Sequence, residues 1–445
     1  MFVNRKRELE FLERKWKEGG VQLVIIYGRR RVGKTTLLKE FLRGREGVYF
    51  LATADSMGEN VKELAEKFAE LTGRGYFKEV KDFGRLFRYL GEEVKNERVA
   101  VVLDEFQYLM GLEPGILSVL QRAWDEVLKD TKLFLLLCGS SVGMMERTLE
   151  YKSPLYGRRT GSWKVEPFDI KATAEMLPDR SMEELVKTYA IFGGVPFYLD
   201  LIKDLSVEEA IREKVLRKGE VLYEEPEFLL REELREPRVY KLILKGLALG
   251  HETLGELVNF TGLDRGNISK YLDVLERLDL IAYELPYGRR KRGRYYIRDN
   301  FFNFWFRFVY PNLADLELGL VDEVWGKIEK NLNAYYGMMF ERLVREMLRL
   351  RILDFGQKKV TRWWHKGEEI DAVVELENGL LFVEVKWSEL KKREAERILE
   401  ELKAKAGRFD VKNKRFLLIA KKIEGKGEGM MDLEDLERLV RGVRR

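Results

Sequence analysis

Residues 21–35 read VQLVIIYGRRRVGKT, an almost wholly apolar run followed by a glycine-containing loop and a lysine. The run 21–27 has the length of a strand and no polar alternation, which is typical of a strand buried on both faces of a parallel sheet. Residues 28–35 fit the pattern GxxxxGK[ST], and the helix predicted from Thr36 to Leu42 supplies the context that this pattern requires. The stretch therefore predicts a strand, a phosphate-binding loop and a helix.

The chemistry of such a loop dictates its residue types. Backbone N–H groups turn inward to hold phosphate oxygens at a helix N-terminus, Lys34 meets the β- and γ-phosphates of ATP, and the Thr35 hydroxyl binds Mg²⁺. A chance match is the alternative, and the agreement of strand, loop and helix argues against it. The predicted nucleotide-binding residues are Gly28, Arg29, Arg30, Arg31, Val32, Gly33, Lys34, Thr35 and Thr36.

Further apolar runs at 47–52, 98–104 and 132–138 are separated by helical stretches, which predicts a doubly wound α/β domain with a parallel sheet. The run 98–104 ends in Asp104 and is followed by Glu105. Asp104 would hold Mg²⁺ through water, and Glu105 would polarise the attacking water, as in ATPases rather than in GTPases that use glutamine. The alternative is a solvated acidic pair at a strand end.

Two sets of polar residues follow the run 132–138. Ser140 and Ser141 come directly after it, and either they sense the γ-phosphate or they cap the next helix. Arg158 and Arg159 follow that helix. One of them would act as an arginine finger on a neighbour's nucleotide, which requires a homo-oligomer, or the two form a basic surface pair.

Together these motifs resemble the archaeal ATPase family, a branch of the AAA+/STAND P-loop NTPases. The resemblance covers roughly residues 1–230 and is carried by FVNRKRELEFL, GRRRVGKTTLL, LDEFQYL, CGSS, SPLYGRRTG and FGGVPFYL. It implies that Asn4 and Arg5 lie near the adenine, that Ser140 or its neighbour is the sensor, and that Arg158 is the finger. It also implies a lid element near the nucleotide at the turn that ends in Pro196.

Residues 238–300 have the order of a winged helix-turn-helix: three helices, the second opened by a capping box at Thr253, and then two short strands. The third helix would present Arg265, Asn267 and Lys270 to a DNA groove. The wing would meet phosphates through its basic residues Arg289, Arg290, Lys291, Arg292 and Arg294. The alternative is a protein-contact or hinge module with a solvated wing.

The net charge supports a local basic patch rather than a basic protein. The chain has 81 Lys and Arg against 76 Asp and Glu, a net charge of +5. Residues 285–298 alone carry six basic residues and no acidic one. Without them the two signs nearly balance, so we expect DNA binding to weaken with added salt.

Carboxylates mark the C-terminal region. Asp371 lies on one predicted strand (369–376), and Glu384 and Lys386 share a face of the next (379–387) across a hairpin at Asn378-Gly379. Asp371 and Glu384 would bind Mg²⁺ or Mn²⁺, with Glu341 of the preceding helix as a third ligand, and Lys386 would orient or deprotonate a water that attacks a phosphodiester. The alternative is a solvated strand face.

This arrangement resembles the PD-(D/E)XK nuclease superfamily over roughly residues 330–420. It also resembles the uncharacterised domain that habitually follows archaeal ATPases of this type. Ile370 stands where the short motif of that superfamily has proline. The resemblance implies a restriction-endonuclease-like fold. The aromatic run 301–310 could stack on bases, but its apolar residues occupy every helical face, which favours a buried helix.

Composition excludes several classes of protein. No apolar run approaches the ~20 residues of a membrane span, and the first residues lack the apolar stretch of a signal peptide, so we expect a soluble cytoplasmic protein without a membrane partner. One cysteine, Cys138, and two histidines make a zinc site improbable. The many Lys, Glu and Arg residues match the trend of hyperthermophile proteins.

The sequence thus predicts an α/β P-loop ATPase core (1–168), a helical lid (169–237), a winged helix-turn-helix (238–300) and a nuclease-like α/β domain (301–445). The predicted function is ATP hydrolysis coupled to DNA binding and to metal-dependent nuclease chemistry. The alternative is a STAND-type signalling switch, in which ATP controls oligomerisation and the last domain is an inert partner-binding module.

Overall fold

The apolar runs near the N-terminus form one parallel sheet in the computed structural model, which describes residues 3–234 and 236–442. The chain divides into an N-terminal unit, Met1–Pro167, and a C-terminal unit, Phe168–Arg445. The predicted end of the ATPase core at residue 168 is one residue from this boundary. The predicted lid, winged helix and nuclease-like domain all fall within the C-terminal unit, and their separate limits stay predictions.

The N-terminal unit has five strands: β1 (Gln22–Tyr27), β2 (Gly47–Leu51), β3 (Ala100–Asp104), β4 (Phe134–Gly139) and β5 (Gly161–Lys164). All pair in parallel, in the order β2-β3-β4-β1-β5. Every residue of β3 and β4 is buried, as continuous apolar runs predict for central strands. The edge strand β5 was not predicted, because it is short and only partly buried.

Helices cover both faces of this sheet. They are α1 (Lys6–Lys17), α2 (Lys34–Leu42), α3 (Met57–Thr72), α4 (Phe83–Glu93), α5 (Gln107–Leu112), α6 (Ile116–Glu126) and α7 (Val142–Leu149), with 3-10 turns at Gly75–Glu79 and Leu128–Asp130. Leu12 and Phe41 pack on one face of the sheet, and Phe68, Phe87 and Leu120 pack on the other. Because parallel strands end at a common edge, the residues that follow β1, β3 and β4 are brought together.

The sequence predicts a helix over residues 4–18 with Asn4 as its cap, and the start of α1 differs from this prediction. Asn4 is not its cap: the N-cap is Arg5, which makes no side-chain capping hydrogen bond, and the helix begins at Lys6. Asn4 has a φ of 37°, in the left-handed region, and precedes the cap. The Arg5 side chain turns away from the helix end and donates to the Val32 carbonyl oxygen at 2.6 Å.

The C-terminal unit begins with helices and ends with a mixed sheet. Its first helices are α8 (Ile170–Met176), α9 (Met182–Phe192), α10 (Pro196–Ile202), α11 (Val207–Ala210), α12 (Val221–Glu233), α13 (Pro237–Ala248), α14 (Leu254–Thr261) and α15 (Arg265–Arg277). An antiparallel pair follows, β6 (Ile281–Glu284) and β7 (Arg294–Ile297). The capping box of Thr253 and Glu256 at the start of α14 is confirmed.

The remaining helices are α16 (Asn300–Phe304), α17 (Leu313–Glu317), α18 (Val321–Arg349), α19 (Lys392–Ala406) and α20 (Leu433–Arg441), with π-helical turns at Ile211–Val215 and Trp305–Val309 and a 3-10 turn at Tyr310–Asn312. The last strands are β8 (Lys359–His365), β9 (Glu368–Leu376), β10 (Gly379–Lys391), β11 (Lys414–Glu424) and β12 (Met430–Met431). They form one sheet in the order β12-β11-β10-β9-β8. Strands β8, β9 and β10 are antiparallel neighbours, and β10, β11 and β12 are parallel.

Two predictions in this unit can be compared with the structure: a buried helix at the aromatic run and a helix before the hairpin. The aromatic run is a buried helical segment, with Phe302, Phe304 and Trp305 fully enclosed, so it offers no stacking platform. The sequence also predicts a helix over 334–350, and the observed helix is much longer, because α18 starts at Val321. Within residues 3–234 and 236–442, no helix is both long and apolar enough to cross a bilayer.

Candidate functional site

The loop between β1 and α2 encloses the ammonium group of Lys34, a residue that is only 6% exposed. Its Nζ donates to the carbonyl oxygens of Gly28 at 2.8 Å and Arg29 at 2.9 Å. Burial lowers the pKa of Lys34, and nearby acidic groups including Glu105 oppose this effect. A buried ammonium held by neutral carbonyls is stabilised by an added anion, which fits a phosphate site.

The backbone of the loop is open toward the start of α2. Gly33, the N-cap of α2, has a φ of +91°, and among the described residues beyond its chain neighbours and the adjoining helix backbone no heavy atom lies within 4 Å of the position that a Cβ would take. The first N–H groups of a helix have no partner within the helix, so the start of α2 suits an anion. Val32 is buried beneath the loop, Thr36 is exposed on the first turn, and Arg30 donates to the Tyr108 hydroxyl at 2.8 Å.

Asp104 is fully buried at the end of β3, so the alternative of a solvated acidic pair does not apply to it. Its Oδ2 accepts hydrogen bonds from the hydroxyls of Thr35 at 2.7 Å and Tyr49 at 2.6 Å. Its Oδ1 accepts from the Glu105 N–H at 2.9 Å. The structure thus joins Thr35 and Asp104, the two residues predicted to hold Mg²⁺.

Glu105 lies in a left-handed turn between β3 and α5, with a φ of +54°. Its carboxylate accepts from the Ser140 hydroxyl at 2.6 Å and from Gln107. The Ser140 hydroxyl therefore contacts the predicted base, and its role as a γ-phosphate sensor stays a prediction. Ser141 is the N-cap of α7 but makes no side-chain capping hydrogen bond, so the capping alternative is not met.

Three other residues predicted for the nucleotide site lie in different settings. Arg5 contacts the phosphate-binding loop through Val32 and pairs with Glu8 at 2.8 Å. Arg158 is held within its own chain, because Nε and Nη2 both bind the Asp125 carboxylate, at 2.8 and 2.6 Å. Pro196 is the first residue of α10 in the C-terminal unit. The roles of Asn4 and Arg5 at adenine and of Pro196 in a lid stay predictions.

The C-terminal unit brings its own carboxylates together where β9 and β10 separate. The last paired residues are Ala372 and Val383, so Asp371 and Glu384 are the first beyond the ladder. Both are buried, at 9% and 7% exposure. The Val385 N–H donates to Asp371 Oδ2 at 2.8 Å. Burial and the charge of Glu384 raise the pKa of Asp371.

Two lysines neutralise Glu384. The Lys386 Nζ donates to Oε1 at 2.8 Å, as strand alternation predicts, and the Lys405 Nζ lies 3.3 Å from Oε2. Burial alone would lower the pKa of Lys386, but the hydrogen bond and charge of Glu384 outweigh it and raise this pKa. Lys386 is therefore an ammonium at neutral pH, which suits it to orient a group rather than to deprotonate water.

The number of carboxylates at this point limits the metal sites that it can form. Within residues 3–234 and 236–442, no three His, Cys, Asp or Glu side chains form an arrangement that could hold a metal ion. The role of Glu341 as a third ligand stays a prediction, and in this arrangement Lys386 and Lys405 engage Glu384. One or two carboxylates still suffice for Mg²⁺ that keeps several waters.

The predicted DNA-binding residues fall into two groups. Arg265, Asn267 and Lys270 are exposed on α15, and Asn267 donates to the helix cap Asp264 at 2.6 Å. The turn between β6 and β7 exposes four consecutive basic residues, which we call the basic turn: Arg289, Arg290, Lys291 and Arg292. Among the described residues none of the four forms an ion pair.

Arg294 differs from the basic turn. It pairs with Glu369 of β9 at 2.8 Å and with Glu252 at 3.5 Å, and its guanidinium lies 4.8 Å from the centre of the Trp364 ring. Its charge is thus used inside the C-terminal unit, so its prediction as a phosphate contact is not supported by this geometry. The Tyr287 N–H also donates to the Arg362 carbonyl at 2.8 Å, which joins the wing to β8.

Comparison with known proteins assigns the family. A family model of ATPase domains predominantly from Archaea matches residues 2–202. An uncharacterised protein of Methanocaldococcus jannaschii is 38% identical over 450 residues, which cover 98% of this chain and 100% of that protein. The chain belongs to this archaeal ATPase family. It is a P-loop ATPase.

Other similarities are more limited. A second family model, described as Archaea bacterial proteins of unknown function, matches residues 305–398 of the ATPase. An uncharacterised ATP-binding protein of M. jannaschii is 67% identical over 46 residues, 10% of this chain and 78% of that one. Among solved structures, the Walker-type ATPase of Pyrococcus abyssi has a TM-score of 0.49 and 23% identity, covering 69% of this chain and 96% of that chain. The ORC2 protein of Aeropyrum pernix has a TM-score of 0.45 and 15% identity, covering 73% and 95%.

Three residues of these sites are not predicted by the sequence. Gln107 binds Glu105 and Ser140, Tyr49 binds Asp104, and Lys405 binds Glu384. Of the three, only Gln107 could have been predicted from its local sequence, because it lies two residues after Glu105, where the chain turns at the edge of the sheet. Tyr49 and Lys405 reach their partners from a separate strand and helix, and no spacing rule links them.

Glu341 gives a stability prediction. Burial and the charge of Asp371 raise its pKa from 4.5 to about 7. Because the folded state binds this proton more tightly than the unfolded state, Glu341 makes the free energy of unfolding fall as pH rises from 4.5 to about 7. Glu341→Gln should therefore stabilise the protein by about 2 kcal/mol at pH ~8 and much less at pH ~5, measured by denaturant unfolding.

The matched control is Glu329→Gln on the exposed side of α18. It should leave the denaturant midpoint unchanged at both pH values. An equal effect of Glu341→Gln at the two pH values would contradict the assigned ionisation.

Proposed function

We propose that this ATPase binds DNA through its C-terminal unit and acts on it at a metal-dependent site. The observation that carries the proposal is the meeting of Asp371, Glu384 and Lys386 at one point of β9 and β10, with both carboxylates buried. Buried like charges are costly: Lys386 and Lys405 compensate Glu384, and a bound cation would compensate Asp371. Phosphodiester hydrolysis is the reaction that such a set supports best.

We assign roles to residues of the N-terminal unit from the chemistry of their side chains and backbone groups. Lys34 and the N–H groups of the loop would hold the phosphates of ATP, and Thr35 with Asp104 would hold Mg²⁺, which would neutralise phosphate charge when bound. Glu105 would orient the attacking water. Arg158 would complete the site of a second copy only after its ion pair with Asp125 has broken, so oligomerisation and nucleotide turnover would be linked.

In the C-terminal unit Asp371 and Glu384 would hold Mg²⁺ or Mn²⁺, which would supply Lewis acidity toward a phosphate when bound. Lys386 would orient the attacked phosphate through its charge. Incubation with duplex, branched and single-stranded DNA in Mg²⁺ or Mn²⁺ tests this activity. Nicking that EDTA abolishes is expected, and the absence of nicking on every substrate would contradict the proposal.

DNA would reach this site along the wing. The order of α13, α14, α15, β6 and β7 supports a winged helix, and the basic turn is exposed. Arg294 joins the wing to Glu369, which lies two residues before Asp371 on the same strand. Since strand residues rise about 3.3 Å each, the base of the wing lies within a few phosphate spacings of the carboxylates.

The basic turn can be tested by charge removal. A variant in which Gln replaces all four residues of the basic turn should weaken DNA binding at low salt by about 10- to 100-fold, because phosphate contacts and counterion release are lost. The four residues are Arg289, Arg290, Lys291 and Arg292. The slope of log affinity against log salt should become shallower by about 0.9 for each phosphate contact removed. Fluorescence anisotropy at several salt concentrations measures both quantities.

The control variant removes four positive charges from a different element of the C-terminal unit. Lys392, Arg393, Arg397 and Lys403 are exposed on α19, and their replacement by Gln should change DNA affinity little. Equal losses in the two variants would mean unspecific charge attraction and would refute a DNA-binding wing.

The second candidate is a STAND-type switch with an inert C-terminal module. The pairing of Glu384 with both Lys386 and Lys405 favours it, because the carboxylate is neutralised without a metal. Slow hydrolysis, tightly retained nucleotide and no metal binding at Asp371 would identify the switch.

A further inference from the structure

Glu105 is held through one of its two carboxylate oxygens. Oε2 accepts from the Ser140 hydroxyl at 2.6 Å, from the Ser140 N–H at 3.2 Å and from the Gln107 amide group. Within residues 3–234 and 236–442, no hydrogen bond reaches Oε1 of Glu105. One oxygen is thus anchored, and the other keeps its capacity to accept a hydrogen bond.

Gln107 hydrogen-bonds to both other residues of this contact, Glu105 and Ser140. Its side chain is buried, with 6% of the residue exposed. Besides Glu105, its Nε2 donates to Ser140 Oγ at 3.1 Å, and its Oε1 accepts from the Ser140 N–H at 3.2 Å. Gly139 makes room for it, because a Cβ there would lie 2.5 Å from Gln107 Oε1. The first turn after β3 is therefore fastened to the end of β4.

We propose that Gln107 and Ser140 are positioning residues for ATP hydrolysis, which fix Glu105 Oε2 so that Oε1 meets the attacking water. The proposal rests on the role of Glu105 proposed above. In that step the water oxygen bonds to the γ-phosphorus, the bond from phosphorus to the β–γ bridging oxygen breaks, and a water proton passes to Oε1. ADP and phosphate leave, and the proton returns to solvent.

Fixing a carboxylate in this way favours turnover. A base works when it lies within hydrogen-bond reach of the proton that it takes, and small misplacements are costly. Glu105 has a left-handed backbone conformation, and the contacts of Ser140 and Gln107 fix one orientation of its carboxylate. This assignment replaces the γ-phosphate as the partner of the Ser140 hydroxyl.

A double-mutant cycle tests the proposal. Gln107→Met and Ser140→Ala should each lower kcat for ATP by about 10- to 100-fold with the ATP Kd unchanged. The double variant should lose little more than either single variant, because both residues act through one carboxylate. In a Glu105→Gln background neither substitution should lower kcat further, and Ser140→Thr should restore turnover by keeping the hydroxyl.

Asn60→Ala is the control for disturbance of a buried polar residue, because Asn60 is 4% exposed and binds Thr53 and Ser56 rather than Glu105. Thermal unfolding of each variant checks folding, and Gln107→Leu replaces Gln107→Met if the latter does not fold. Additive losses, equal losses in the Glu105→Gln background, or a weakened ATP Kd in Ser140→Ala would overturn the proposal. Wild-type turnover by Glu105→Gln would instead refute the role of Glu105 itself.

Discussion

Lys34→Ala is expected to lower ATP turnover by about 100-fold or more, the usual cost of removing one preorganised charge from a transferring phosphoryl group. Lys34 is the only ammonium that the loop encloses among the described residues, and it is held by the carbonyls of Gly28 and Arg29. Without it, the phosphates would lose the buried ammonium that the loop holds. Phosphate release at saturating ATP measures the loss.

Lys67→Ala is the matched control, since this lysine lies on the surface of α3 and pairs with Glu63. It should keep wild-type turnover. Lys34→Arg should remain impaired, because the larger guanidinium does not fit between the same two carbonyls. Wild-type turnover by Lys34→Ala would mean that phosphate release comes from another site or from a contaminant.

Asp371→Ala and Lys386→Ala are each expected to lower metal-dependent DNA nicking by about 100-fold or more. Asp371→Ala removes a proposed ligand, and Lys386→Ala removes the charge proposed to orient the phosphate. Both changes should leave ATP turnover intact, because the phosphate-binding loop lies in the other unit. Supercoiled plasmid in Mg²⁺ or Mn²⁺ gives a direct readout of single nicks.

Asp410→Ala and Lys403→Ala change the same residue types at exposed positions of the C-terminal unit and serve as controls. They should nick DNA as the wild type does. Equal nicking by all five proteins would mean a contaminating nuclease. A loss of ATP turnover in Asp371→Ala would indicate a folding defect rather than a lost ligand.

The sequence predicted the strands of the N-terminal sheet well because they are buried on both faces. Continuous apolar runs mark β1, β3 and β4, and the motif context then places the loop at their common edge. Strand β5 escaped because pairing with β1, and not its own composition, makes it a strand. The prediction of Asn4 as the cap of α1 was wrong because Arg5 takes the cap position, while the Arg5 side chain reaches Val32.

The candidate sites were predictable where chemistry and spacing coincide. Lys34, Thr35 and Asp104 follow from a loop and a strand end, and Glu384 with Lys386 follows from strand alternation. The orientation of Ser140 toward Glu105 depends on Gln107, a contact between separate strand ends. Such contacts depend on how separate strands come together in the fold, so no periodic pattern in the sequence predicts them.

Whether the C-terminal unit holds a catalytic cation is tested most directly in crystals soaked with Mn²⁺ and a non-hydrolysable ATP analogue. Anomalous density is expected between the carboxylates of Asp371 and Glu384, about 2.0–2.4 Å from an oxygen of each. A second peak at Thr35 and Asp104 would show that the metal has entered the crystal. Density at Thr35 and Asp104 with none between Asp371 and Glu384 would contradict a metal-dependent DNA-processing site.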